Sequence, residues 1–249
     1  MERYAGRVAL VTGASAGIGA AITQALLKKG LTVVGLARRV DRVKALELKD
    51  APGKLHALQG DVADEQSILA AFKWIRDNLS GVDVLINNAG ILVESELTSA
   101  PTDAWRRQLD VNVLGLSICT REAVQDMLRR GVDDGFIIHI SSIGGHLPPF
   151  ASDGAMYSAS KHAVRVLLEG LRKDLVARKS KIRVGCVSPG LVRTEILDGK
   201  KSGLQKYSTN LTVWNLKTSQ KLLFTCCHNI HVCRCTTSSF VPLATPSER

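Results

Sequence analysis

The chain has 249 residues, 45% of them apolar, enough to bury a substantial core in one α/β domain or two small ones. Its net charge of +10 raises the question of nucleic acid, but seven basic residues against two acidic ones lie from Asp198 onward, and the remainder are spread out. With aromatics at 4% and no dense basic stripe, nucleic-acid binding is set aside, and no apolar run nears the ~20 residues of a membrane span. The charged start Met1 to Tyr4 leads directly into apolar sequence, so no signal peptide is read and a cytosolic protein with reduced thiols is expected.

Val8 to Val11 reads as a buried strand, and Gly13, Gly17 and Gly19 then turn the chain into a helix over Ala20–Lys29 closed by Gly30. Strand, glycine turn and helix present backbone N–H groups and a positive helix end to a pyrophosphate, and a Cβ would block the phosphate or clash with the strand. A tight turn alone gives the same glycines. Thr32–Ala37 is a second strand, ending at Arg38 and Arg39. At this strand end an acidic residue would bind the ribose hydroxyls of NAD, whereas arginine suits the 2′-phosphate of NADP, so NADP is expected.

Asp41–Leu48 reads as a charged helix and Lys54–Gln59 as a third strand, followed by Asp61 and Val62, with Asp61 able to accept a bond from an adenine amine. Glu65–Leu79 is an amphipathic helix with Ile68, Leu69, Phe72 and Ile75 on one face. Val82–Ile86 is a fourth strand leading into Asn87, Asn88, Ala89 and Gly90, where small residues let backbone approach a ligand. One helix is predicted from a Thr102 cap to about Arg130, with Asn112 unusual in its apolar stretch: a satisfied core amide, or a holder of a water or a lysine. Gly135–Ile140 is a fifth strand stopping at Ser141 and Ser142, Tyr157 to about Arg178 a long helix, and Ile182–Val187 a sixth strand ending at Ser188, Pro189 and Gly190. This alternation predicts a Rossmann-like, doubly wound parallel sheet in three layers, with ligands at the carboxyl ends of its strands.

Tyr157 and Lys161 are four apart and share a helical face. A free phenol titrates near ~10. A lysine ammonium one turn away would lower that value and make Tyr157 a general acid and base beside a hydride-carrying nicotinamide. Ser142 can donate to the substrate oxygen, and Asn112 can anchor a water that feeds Lys161.

Thr12 to Gly19, Asn87 to Gly90, Asn112, Ser142, Tyr157 with Lys161, and Pro189 with Gly190 resemble the motifs of the short-chain dehydrogenase/reductase family in order and spacing, over about residues 6–196. The resemblance implies Asn112, Ser142, Tyr157 and Lys161 as a catalytic tetrad. It implies an NADP site of Gly13, Ser15, Ala16, Gly17, Ile18, Gly19, Arg38, Arg39, Asp61, Val62, Asn88, Ala89, Gly90, Tyr157, Lys161, Pro189, Gly190, Val192 and Thr194. Val192 and Thr194 would touch the nicotinamide amide. It further implies a homodimer or homotetramer through the helices at 102–130 and 157–178. The texture of Val111–Ala123 and Ser141–His146 is similar to a branch of the family that includes insect farnesol dehydrogenases and a vertebrate ketosteroid reductase type. That branch implies a bulky apolar alcohol or ketone substrate.

From about residue 197 the family pattern fails, so residues 1–196 read as the NADP-binding and catalytic domain and 197–249 as an atypical tail in place of the substrate lid, last helix and final strand. The tail cysteines at 226, 227, 233 and 235 do not have paired Cys-x-x-Cys spacing, and no metal is expected. A shifted reading frame accounts for the tail better. Taking the third base of each codon with the first two of the next, Val213 to about Gln220 can spell LEPEDIA, and Val232 to Pro242 can spell VQVHDLIIRP. Both are similar to the family's last helix and strand. The tail leaves two expectations open, an active oxidoreductase or an NADP-binding but catalytically impaired product.

Overall fold

The computed structural model describes residues 2–192 and 194–197, and the backbone of 233–236. The apolar runs fold as strands β1 (Val8–Thr12), β2 (Thr32–Ala37), β3 (Lys54–Gln59), β4 (Val84–Asn87), β5 (Phe136–Ile140) and β6 (Arg183–Ser188). Between them lie helices α1 (Gly17–Lys28), α2 (Val40–Lys44), α3 (Glu65–Leu79), α4 (Thr102–Leu109), α5 (Leu116–Arg129) and α6 (Ala155–Ala177). Among the described residues the strands form one sheet in the order β3-β2-β1-β4-β5-β6-β7, where β7 is Cys233–Thr236. Every neighbouring pair is parallel. The order reverses between β1 and β4, which is where such sheets leave a crevice beyond the strand ends.

Burial follows from this topology. β1, β4 and β5 are buried along their whole length, as strands covered on both faces must be. Ala9 and Val11 pack in one core with Ile22 and Leu26 of α1; Val8 and Leu10 pack in the other with Ile68, Phe72 and Ile75 of α3, Met127 of α5 and Leu168 of α6. α3 starts where the Asp64 side chain accepts a bond from Gln66 N at 3.0 Å, and ends at Ser80 in the left-handed region.

Three expectations change. The helix after β2 is only Val40–Lys44, because beyond it Leu46 and Glu47 bond back three residues in tighter turns. Thr102 is the first helical residue and caps nothing; Pro101 precedes the helix. The single helix predicted to Arg130 contains a π-helical turn, Asp110–Gly115, between α4 and α5. Gly115 there lies against the Val62 carbonyl, where a Cβ would collide with it. At the sheet edge, where a missing or altered last strand is expected, lies the short β7, paired from Gly185↔Cys233 to Ser188↔Thr236. Ladder pairing is made by backbone groups, which Cys-Arg-Cys-Thr supplies as well as an apolar strand does. The expected last helix falls outside the described residues.

At the opposite end of the sheet Tyr4 is fully buried. Its hydroxyl donates to the Asp134 carbonyl at 3.1 Å, its ring stacks on Phe136 at 6.4 Å, and the guanidinium groups of Arg3, Arg7 and Arg183 lie 5.4–5.5 Å from its centroid. Arg7 clamps the Asp134 carboxylate through two bonds of 2.5 and 2.8 Å and holds it below the usual carboxylate range. Tyr4→Ala is expected to lower unfolding stability by about 3–5 kcal/mol, and Tyr4→Phe by about 1 kcal/mol. Urea unfolding measures both; an unchanged midpoint for the alanine variant would show that the ring is not a core residue.

Candidate active site

The carboxyl ends of β1 and β4 are spliced side chain to backbone. Thr12 Oγ1 accepts from Asn88 N at 3.1 Å and Ala89 N at 3.0 Å, and Asn88 Nδ2 donates to the Thr12 and Gly13 carbonyls at 2.9 and 3.2 Å. The close approach explains two glycines. A Cβ on Gly13 would lie 2.8 Å from Ala89 Cα, and one on Gly19 would collide with Gly13 O and Asn88 Nδ2. Gly17 has φ +54°, a conformation L side chains rarely adopt. α1 begins there with no side-chain cap, and Ala16, Gly17 and Ile18 at its start line a cleft, which puts its positive end where an anion would sit.

A cleft of about 530 Å³ runs along these strand ends, within the ~300–1,000 Å³ usual for ligand sites. Of the predicted residues, Gly13, Ser15, Ala16, Gly17, Ile18, Arg38, Arg39, Asp61, Val62, Asn88, Ala89, Gly90, Ser142, Tyr157, Lys161, Pro189, Gly190, Val192 and Thr194 line it. Gly19 and Asn112 do not; both are buried behind its wall.

Asn112 is a buried clamp. Its Oδ1 accepts from Ile91 N at 2.8 Å, and its Nδ2 donates to Ile91 O at 2.9 Å and Ser160 Oγ at 3.0 Å. One turn earlier, Gln108 Oε1 accepts from Val93 N at 2.6 Å. Together they pin segment 91–93 as a strand partner would, and Ser160 passes the tie on to α6. The π turn is the local irregularity that carries Asn112. Asn112 Oδ1 and Lys161 Nζ both lie beside Gly90, each 3.4 Å from where its Cβ would lie.

Lys161 is buried, and its Nζ donates to Ile140 O at 3.1 Å. Burial pushes its ammonium down to about 8 from the ordinary 10.5. The Nζ sits 5.8 Å from the Tyr157 ring centroid. The expected lowering of the phenol by this lysine is not found: burial pushes Tyr157 above its ordinary value, and the effect that works against the rise is a hydrogen bond with Ser142. Ser142 also accepts from Gly144 N at 3.1 Å, which fixes it at the end of β5.

Sequence reasoning passed over Arg42 and Glu195. Arg42 follows Arg39 by one turn of α2, a spacing that was available as a signal. Glu195 bonds both arginines, Arg39 Nη2 at 2.8 Å and Arg42 Nη1 at 2.5 Å, and that pairing of residues over 150 positions apart had none. Among the described residues Arg38 makes a 3.9 Å contact with Asp61.

A family model described as short chain dehydrogenase matches residues 7–205. The chain belongs to this family. It is 50% identical over 198 residues to dehydrogenase/reductase SDR family member 11 of Gallus gallus, covering 78% of each chain. It is 49% identical over 201 residues to farnesol dehydrogenase of Aedes aegypti, covering 79% of this chain and 82% of that one. Among solved structures it resembles a short-chain type dehydrogenase/reductase from Mycobacterium marinum, with TM-score 0.82, 27% identity and 88% and 87% of the two chains covered. It also resembles a closed form of serine dehydrogenase complexed with NADP+, with TM-score 0.80, 26% identity and 97% and 100% covered. Family membership makes the chain an oxidoreductase with a nicotinamide-binding fold. Among the described residues no helix is long and apolar enough to cross a membrane.

The buried lysine has a pH signature. Its folded value near 8 lies below its ordinary 10.5, so between them the unfolded chain binds more protons and stability rises with pH. Below that window the folded protein carries the whole cost of a buried ammonium, on the order of 3 kcal/mol. The Tm of Lys161→Met minus that of the wild type is expected to fall as pH rises from neutral toward 10.5. A difference that stays flat in thermal melts would mean the ammonium is not desolvated.

Proposed function

We propose that the chain is an NADP-dependent oxidoreductase that interconverts a bulky apolar alcohol and its carbonyl in the cytosol, with Tyr157 as general acid and base. The observation that carries the reading is one cleft with Ser142, Tyr157 and Lys161 at one end and Arg38, Arg39 and Arg42 near the other. The nicotinamide, when bound, supplies or accepts the hydride. Gly13 to Ile18 would hold the pyrophosphate, and the arginines a 2′-phosphate. No carboxylate belonging to the end of β2 competes there, since Asp41 points outward to Lys44 at 3.0 Å.

A phenol held above its ordinary value is protonated at neutral pH, which suits it to give a proton to a carbonyl oxygen as hydride arrives at the carbon. Ser142 orients that oxygen, Lys161 stabilises the phenolate left behind, and Asn112 holds the wall beside Lys161. Alcohol oxidation runs the same path backwards. Apolar lining by Ile91, Leu92, Ile143, Phe150, Leu191 and Leu197 favours an apolar substrate. So does the name of the farnesol dehydrogenase relative. Leu109 on α4, Leu114 in the π turn, and Val166 and Val176 on α6 are exposed, which supports self-association through these helices. Residues 1–196 are proposed as the catalytic domain. A second reading, cofactor binding with impaired turnover, is favoured by a family-model match that ends at residue 205 and by relatives matched over only 198–201 residues.

Tyr157→Phe is expected to cut kcat by at least ~100-fold while NADPH binding stays within about 2-fold. NADPH oxidation with a ketosteroid and farnesol-dependent reduction of NADP measure the first, and fluorescence titration the second. Unchanged turnover in the variant would remove Tyr157 from the chemistry. NADPH binding without turnover in the wild type would favour the second reading. Arg38→Ala with Arg39→Ala is expected to weaken NADPH by about 10–100-fold and leave NADH unaffected; equal loss of both would refute the assignment of NADP.

A further inference from the structure

The arginines assigned to the 2′-phosphate are already paired with an anion. Glu195 Oε2 lies 2.8 Å from Arg39 Nη2, and Glu195 Oε1 lies 2.5 Å from Arg42 Nη1. The two guanidinium groups converge on one carboxylate much as they would on a phosphate. The carboxylate arrives from far along the chain, in the short 3-10 turn Glu195–Leu197 that follows β6. Its neighbour Thr194 packs on the glycine turn, with Thr194 Cγ2 3.0 Å from where a Cβ on Gly17 would lie. Segment 194–197 therefore runs from the start of α1 to the arginines, and all four of its residues line the cleft. Glu195 itself is held below the usual carboxylate range, first by its bond to Arg39 and then by that to Arg42, so it is charged throughout the neutral range.

We infer that Glu195 is an internal competitor for the 2′-phosphate: it fastens segment 194–197 across the cleft to Arg39 and Arg42, and a 2′-phosphorylated dinucleotide must displace it. Glu195 then sets how strongly the protein discriminates between phosphorylated and unphosphorylated cofactors. Two half-exposed ion pairs give a modest latch, one that an incoming dianion can break. A dinucleotide without the 2′-phosphate leaves the latch shut at the arginines. The inference rests on the NADP reading above, and its test separates the two.

The probes are adenosine 2′,5′-bisphosphate and adenosine 5′-monophosphate, which differ only in the 2′-phosphate and need no nicotinamide site. Their affinities for the full chain and for Glu195→Gln are measured by calorimetry at low salt. The side chain is about half exposed, so the variant keeps the fold, checked by circular dichroism. The expected result is a preference for the bisphosphate in the wild type that rises by about 3–10-fold in the variant. A wild type with no preference whose variant gains one shows the same latch in a stronger form. Preference in the wild type that is unchanged or reduced in the variant overturns the latch and leaves the NADP reading standing. No preference in either protein overturns both.

Discussion

The bond set between Thr12 and Asn88 holds the two halves of the site in register. It joins the ends of β1 and β4 where the strand order reverses, and the crevice exists only because those ends are fixed near each other and then part. One hydroxyl meets two amide N–H groups and one amide answers to two carbonyls, so neither strand end can shift without stranding polar groups from both. The glycines on either side give that splice its space. Their first duty is toward protein backbone, and the cradle for a phosphate is the surface that results.

A second set of restraints adds to the first. Asn112 and Gln108 treat segment 91–93 as though it were an extra strand, and Ser160 ties the clamp to the helix that carries Tyr157 and Lys161. The acid–base pair is thus positioned through a chain of side-chain amides and hydroxyls. That the π turn falls on this clamp fits the general association of such turns with function. Lys161 sits here bonded to the Ile140 carbonyl, and its desolvation reflects its burial.

Much of this was legible from residues alone where the signal is local. β2, β3 and α3 fall where the pattern puts them, because each is bounded by its own turn chemistry, such as the Asp64 cap. The cleft gathers all but two of the residues chosen for it. The two that fall outside, Gly19 and Asn112, support the wall, and a sequence motif does not distinguish lining a site from building it. Long-range juxtapositions were not legible. Glu195 looks like an ordinary surface acid until the fold brings it to Arg39 and Arg42, and the parallel edge pairing of Cys233–Thr236 depends on backbone groups that every residue has. The environment of Tyr157 also had to be seen, because helix spacing gives the distance to Lys161 but not the depth of burial.

The Tyr4 cluster has a consequence for the order in which the molecule can assemble. The Tyr4 hydroxyl bonds a carbonyl 130 residues downstream and is met by Arg183, 179 residues downstream. During synthesis the Tyr4 ring can pack on α1 early, but its hydroxyl meets its polar partners only once β5 and β6 have left the ribosome. Contacts of such sequence separation are closed late and slowly. The Tyr4 hydroxyl thus registers whether the central sheet has been completed through β6.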